Sequence, residues 1–249
     1  MPPMDEFREE TENMLKNATP WQKFKYYLYY YKWHALAIIA TLIIAFTWIR
    51  DVVTSKDPAL YVALVNGAAL ETAERFDLAY AAYAGIDPKE YDIIFDTSMQ
   101  LESGSLDQMG VASSQKLLAF VSAGEIDVFE ANEALFVDYA NSTFFSDLRD
   151  ILSEEQFAKC EPYLYYVDQK VIEVLDEMDP SFDEDRGIDI PDPTKPELME
   201  DPIPVGLFVN DLTELTDYYF LGQDDAVLGI PVNAKNIDNA VKFIEFITR

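Results

Sequence analysis

The chain is poor in histidine and cysteine, with one of each, His34 and Cys160, among 249 residues. Because His34 falls in an apolar run near the N-terminus, the rest of the chain can form neither a Ser-His-Asp triad nor a histidine-bearing zinc site. A single cysteine cannot form a disulfide within the chain. The sequence also lacks a G-x-x-x-x-G-K phosphate loop. We therefore predict a protein that is not an enzyme and holds no cofactor and no metal.

Basic residues are scarce beyond residue 56. Residues 57–249 hold 40 acids and 11 bases, a net charge of −29, whereas residues 1–56 hold 6 acids and 7 bases. This negative net charge opposes binding to phosphate backbones and to anionic lipid. We therefore expect no nucleic-acid partner. The acidity fits a solvated surface, or an attraction for cationic ligands, calcium or a basic partner.

One long hydrophobic run lies near the N-terminus. Residues 33–49 read WHALAIIATLIIAFTWI, with no formal charge except a possible proton on His34, and five tyrosines lie between residues 26 and 31. A membrane-spanning helix needs about 20 apolar residues, and aromatic residues gather where such a helix leaves the bilayer. Residues 26–50 therefore predict one transmembrane helix; a core helix of a soluble protein is the alternative.

The lysines near this run predict its orientation. Four lysines between residues 16 and 32 precede it, while Arg50 and Lys56 follow it. Positive residues favour the cytoplasmic side, so we expect a cytoplasmic N-terminus and an uncleaved anchor in the cell membrane. The predicted plan is a cytoplasmic tail (1–25), a transmembrane helix (26–50), a tether (51–58) and an extracytoplasmic α/β domain (59–249) that includes an acidic, proline-rich loop (177–204).

Strand-like and helix-like segments alternate beyond the tether. This alternation predicts an α/β fold with a mainly parallel sheet and flanking helices. Two apolar runs, residues 163–167 and 171–175, predict a hairpin. The other predicted strands are residues 60–65, 91–95, 126–129, 205–209 and 226–232, and the predicted helices include residues 70–84, 106–123, 133–140, 144–152, 212–220 and 236–247.

Two stretches carry a family resemblance. Residues 124–152, GEIDVFEANEALFVDYANSTFFSDLRDIL, resemble the segment of extracellular solute-binding proteins, the receptors of ABC importers, in which a G-x-x-D-V strand ends the first half-lobe. The terminal pattern from Asn236 to Ile247 is similar to that family's N-x-x-x-A-x-x-F-I-x-F-I helix. The resemblance implies a periplasmic-binding-protein-like fold, and the short middle, residues 163–204, implies a reduced second lobe. With the anchor, it implies a Gram-positive envelope protein.

Polar residues follow the predicted strands. Ligands of open α/β sheets bind outside the carboxyl ends of the strands, so these residues are our candidate ligand contacts. The same residue types are also common in turns and helix caps, which is the structural alternative. The candidates are Asn66, Asp96, Thr97, Ser98, Glu130, Asn132, Asn210 and Asp211.

Two functions remain open at this point. The first is a membrane-anchored solute-binding-like domain that binds a small polar or cationic ligand, or presents it to a membrane partner. The second is a degenerate module of the same type that docks another envelope protein. The acidic loop at residues 179–192 could hold calcium, although it lacks the D-x-D-x-D-G order and the closing glutamate of a calcium loop, and a solvated loop fits it equally.

Overall fold

A computed structural model describes residues 18–101, 108–177, 190–222 and 225–249. The chain divides into two compact units, one ending at Ser55 and a body running from Lys56 to Arg249. Residues 1–17 of the predicted tail and most of the acidic loop at 179–192, with its calcium question, lie outside the described residues.

The N-terminal unit contains one long helix, α1 (Pro20–Thr54). Within it, Tyr31–Asp51 is long and apolar enough to cross a membrane, with a mean hydropathy of 1.7. Leu42 and Phe46 in its middle are 62% and 70% exposed. By length and composition, the helix agrees with the transmembrane segment predicted at residues 26–50.

The body is an α/β fold built around one six-stranded sheet in the order β3-β1-β4-β8-β6-β5. The β1 strand pairs in parallel with β3 and β4, whereas the β4–β8, β8–β6 and β6–β5 pairs are antiparallel. Strands β3, β1, β4 and β6 therefore point in one direction, which confirms a mainly parallel sheet. The strands are β1 (Asp57–Leu64), β3 (Tyr91–Asp96), β4 (Val128–Asn132), β5 (Leu164–Asp168), β6 (Pro202–Phe208) and β8 (Ala226–Gly229), and a separate antiparallel ribbon joins β2 (Ala68–Ala69) to β7 (Tyr219–Phe220).

Helices flank the sheet, as the alternating pattern predicts. Several are short, because the chain returns to the sheet after one or two turns. The helices of the body are α2 (Ala73–Ala84), α3 (Gln108–Ala123), α4 (Glu133–Ala140), α5 (Leu148–Ile151), α6 (Glu154–Cys160), α7 (Gln169–Glu177), α8 (Thr213–Thr216) and α9 (Ile237–Ile247), with single 3-10 turns at Glu161–Tyr163 and Pro196–Leu198.

The sheet separates two hydrophobic cores. Successive strand residues point to opposite faces, so Val128 lies in one core and its neighbour Phe129 in the other. The first core, which we call the α2–α9 core, includes Phe76 of α2 and Phe243 of α9. The second includes Phe136 of α4, together with Phe129.

Several predicted elements are wrong or only partly right. Residues 171–175 form no strand, because they lie in α7, and β5 pairs with β6 instead. The Asp168 carboxylate accepts a hydrogen bond from the Lys170 N–H at 3.0 Å, which favours a helix start at this point. The helix predicted at residues 212–220 is shorter in the structure, where only α8 is helical and the last two predicted residues form β7. The helix predicted at residues 144–152 is likewise shorter and corresponds to α5.

Candidate functional site

The candidate ligand contacts lie at one edge of the sheet. Strands β3, β1, β4 and β6 point the same way, so the residues that follow them meet at their shared carboxyl edge. The β8 strand runs the other way and begins at this edge, where Ala226 is the partner of Asn132. The predicted clustering of these residues follows from this topology.

Two asparagines at the edge bind the body's own backbone. The Asn66 side chain donates to the Leu101 carbonyl at 2.6 Å and accepts from the Leu101 N–H at 2.8 Å. The Asn210 Oδ1 atom accepts from the Ala226 N–H at 2.6 Å. Asp211, next to Asn210, is exposed. Both amides therefore stabilise loop positions.

Asp96 is the centre of a polar network at the end of β3. Its carboxylate accepts from the Tyr61 hydroxyl, from Lys116 Nζ at 2.5 Å and from the Ser98 N–H at 2.8 Å. Burial raises the pKa of Asp96, but these donors outweigh it and hold the pKa below the ordinary range. Thr97, between Asp96 and Ser98, is half-buried.

The pairing of Ser98 with Lys116 is the arrangement closest to a nucleophile and its base. Lys116 Nζ donates to Ser98 Oγ at 2.7 Å. A general base must accept a proton, whereas Lys116 donates to both Ser98 and the Asp96 carboxylate. The network therefore orients the end of β3 and gives no support to nucleophilic catalysis.

The two remaining candidates lie on β4. Asn132 is the N-cap of α4, because its Oδ1 accepts from the Leu135 N–H at 3.0 Å. Glu130 is fully buried, and neither of its carboxylate oxygens has a hydrogen-bond partner among the residues that the structure describes. Burial raises the pKa of Glu130 well above its ordinary value. Glu130 therefore lies within the core and not at the carboxyl edge, where the sequence predicts it.

A cavity of about 390 Å³ lies beside this edge, between α4, β5, α7 and residues 190–193. Glu133, the residue after Asn132, lines it from α4. The backbone N–H of Tyr166 donates to the Pro193 carbonyl at 2.9 Å, which holds the 190–193 segment against β5. The other lining residues are Ala134, Val137, Asn141, Tyr165, Tyr166, Val167, Asp168, Val171, Ile190, Pro191, Asp192, Pro193 and Met199.

Two of the three carboxylates that line the cavity already have partners. Asp192 accepts from Lys195 Nζ and from the Thr194 hydroxyl, both at 2.6 Å. Three backbone N–H groups donate to the Asp168 carboxylate. Burial raises the pKa of Asp168, but these three donors outweigh it and the pKa is lowered. Neither carboxylate is available as a primary ligand contact.

Glu133 is different. In the described part of the chain, its carboxylate has no hydrogen-bond partner, and no described residue lining the cavity is basic. Burial raises the pKa of Glu133, and the negative charges of Asp225 and Asp192 raise it further. The cavity therefore combines aromatic walls with negative potential that no described basic residue of its lining offsets.

Sequence reasoning did not find this cavity. Glu133 stands directly after a candidate residue, but the wall formed by residues 190–193 depends on pairing with the edge of β5, far away in sequence. Among the described residues, no group of three or more His, Cys, Asp or Glu side chains is placed to hold a metal. Comparison of the chain with protein-family models, curated proteins and solved structures found no match.

Proposed function

We propose that the chain is a single-pass membrane-anchored protein whose extracytoplasmic α/β body, a reduced relative of the solute-binding type, binds a small cationic ligand. The cavity beside α4 is the proposed site, and a membrane partner would receive the bound ligand. The observation that carries this proposal is the carboxylate of Glu133, which is unpartnered among the described residues and lines an aromatic-walled cavity.

The chemistry of the cavity favours a cation with an apolar part. Ammonium and guanidinium groups bind to aromatic rings and pair with a carboxylate, and Tyr165 and Tyr166 both line the cavity. A ligand cation would also relieve the repulsion between Glu133 and its acidic neighbours Asp192 and Asp225. The net charge of −29 on residues 57–249 would draw cations toward the body.

The helix α1 supports the anchor. A helix that is apolar on all sides is stable when lipid or protein surrounds it, and Leu42 and Phe46 in the middle of α1 are exposed. Its flanking lysines favour a cytoplasmic N-terminus. Of the strand-end residues, Thr97, Ser98 and Asp211 remain proposed contacts for a ligand that enters from the sheet edge.

Titration of the full chain in lipid nanodiscs tests the ligand class. The probes are spermidine, choline and an arginine dipeptide, with glutamate as the anionic control. We expect one cationic probe to bind, and Glu133→Gln to weaken its affinity by about tenfold to a hundredfold, because a charge-assisted contact contributes roughly 1.5–3 kcal/mol.

The matched control is Asp138→Asn on the same helix. Asp138 is exposed and does not line the cavity, so its loss should leave the affinity unchanged. Equal binding by the Glu133→Gln variant would reject the cavity as the site, and no binding by any probe would reject a cationic ligand.

One surface feature favours the second function, a docking module. Ala68, Leu70 and Phe220 are exposed on the β2–β7 ribbon, with Leu70 and Phe220 at 44% and 46%. A photo-crosslinking residue in place of Phe220, tested in native membranes, should yield one defined protein adduct if this surface docks a partner. The same residue in place of Leu118, exposed on α3, is the control.

A further inference from the structure

Glu130 lies in the α2–α9 core, at a position where an apolar residue such as leucine would be expected. Its exposed fraction is zero, and within the described part of the chain both of its carboxylate oxygens lack hydrogen-bond partners. Its strand neighbour Val128, two residues earlier, belongs to this core, so the alternation of the strand directs Glu130 to the same face. Buried carboxyl groups are normally paired, and this one is not.

The sheet register shows what surrounds it. Glu130 lies opposite Leu64 of β1 on one side and Leu228 of β8 on the other. Leu228 lies opposite Leu207, which lies opposite Leu164. Glu130 is thus the one acidic member of a five-residue row whose other four members are leucines, all of them buried.

Several titratable groups on the elements around this core have other hydrogen-bond partners. Asp77 of α2 accepts from the Tyr219 hydroxyl of β7, and the Tyr80 hydroxyl donates to the Asn239 carbonyl. Among the described residues, none of them forms a hydrogen bond with the oxygens of Glu130. The remaining charged groups with partners elsewhere are Asp127 (Asn236), Lys242 (the Ala84 carbonyl), Glu245 (Gln156) and Glu214 (Arg249).

We propose that Glu130 makes the folding of the body proton-dependent, so that the body closes tightly around a neutral carboxylic acid and loosens as the pH rises. An ionised carboxylate with no partner has no stable place among leucines, whereas a neutral acid is tolerated at a lower cost. This proton dependence of folding is independent of the proposed cationic ligand, because Glu130 does not line the cavity.

The direction of the pH dependence follows from linkage. Below the ordinary pKa of 4.5, folded and unfolded chains both hold the proton, and this group does not make stability depend on pH. Above it, the unfolded chain releases the proton while the folded body keeps it. The unfolded fraction therefore rises by up to about tenfold per pH unit, until the pH reaches the raised pKa of the folded state.

Cys160 provides a probe of the body alone. It is the only cysteine of the chain, it is fully buried, and it lies in the same core as Leu64 and Leu228. A maleimide added to the full chain in detergent micelles therefore reacts when the body opens. Dividing the wild-type labelling rate by that of a variant at each pH cancels the intrinsic pH dependence of the thiol.

The test uses Glu130→Gln and Glu130→Leu between pH 4.5 and 9. We expect the ratio of wild-type to variant labelling rates to rise with pH, by up to about tenfold per unit, for both substitutions. Glu71→Gln removes one exposed charge and should give a constant ratio. A pH-independent ratio for Glu130→Gln and Glu130→Leu would overturn the proposal. So would unfolding of both variants at every pH, since neutral side chains would then fail to replace Glu130.

Discussion

The carboxylate of Asp127 accepts hydrogen bonds from both nitrogens of Asn236, at 2.7 Å from the backbone nitrogen and 3.0 Å from Nδ2. It also accepts from the Tyr61 backbone N–H at 2.9 Å. One fully buried side chain thus joins β1, the start of β4 and the start of α9. The two stretches that carry the family resemblance meet at this contact.

Substitution of Asp127 should therefore destabilise the body strongly. Asp127→Ala leaves the backbone N–H groups of Tyr61 and Asn236 without an acceptor, and we expect a loss of about 3 kcal/mol in the free energy of unfolding. Urea titration with pulsed labelling of Cys160 measures it. Asp238→Ala, in the exposed first turn of α9, should cost less than about 1 kcal/mol. Equal losses would show that the contact contributes little.

Close packing at Gly206 gives a second prediction. A Cβ atom there would lie 2.8 Å from Phe136 Cζ and 2.9 Å from the Leu228 carbonyl oxygen. Gly206→Ala should therefore lower the free energy of unfolding by about 1–3 kcal/mol. Phe136→Leu removes the nearest ring atom and makes room for the added Cβ atom. The loss measured for the double variant should therefore be smaller than the sum of the losses of the two single variants. Strict additivity would indicate that the ring moves freely.

Ligand binding should depend on pH through Glu133. The pKa of Glu133 is raised, so its carboxylate gains a proton at a higher pH than an ordinary glutamate with a pKa of 4.5. Affinity for a cation should then fall as the solution is acidified toward and through that raised pKa. Glu133→Gln should bind weakly and show a flatter pH profile. Calorimetric titration at several pH values tests this, and an affinity that increases on acidification would contradict it.

A single charged substitution tests whether α1 spans the membrane. Ile43→Lys places an ammonium in the middle of the apolar segment, which costs about 3 kcal/mol for insertion. We expect a larger share of this variant in the soluble fraction after alkaline carbonate extraction of membranes. Val53→Lys, beyond the apolar segment Tyr31–Asp51, is the control and should stay in the membrane fraction. Equal extraction of both would argue against a spanning helix.

Local sequence was sufficient to predict much of the fold. Apolar runs of β-branched and aromatic residues predicted the six strands of the main sheet, and the uncharged run around Leu42 predicted the long apolar helix. The wrong hairpin shows the limit of this approach. Residues 171–175 are as apolar as the preceding strand, and the capping of α7 by Asp168 becomes visible only in three dimensions.

The sequence predicted which polar residues follow the strands, but it did not predict the cavity beside Glu133. Strand ends rich in Asn, Asp and Ser predicted the edge, and the topology brings them to one edge. Glu130 was misplaced because the predicted strand stops at Phe129, whereas β4 continues to Asn132. Those extra residues place Glu130 inside the strand, and alternation then turns its side chain into the core. Whether the edge binds a ligand stays a prediction.

The position of β8 in the sheet has a consequence for folding. The β8 strand lies between β4 and β6, yet it is the last strand along the chain. During synthesis, β4 and β6 therefore expose unpaired edges until residues 226–229 have left the ribosome. Long-range pairing of this kind is slow, and unpaired edges invite aggregation. We expect the apolar helix to engage the membrane machinery first, and the body to need protection by a chaperone until its last strand arrives.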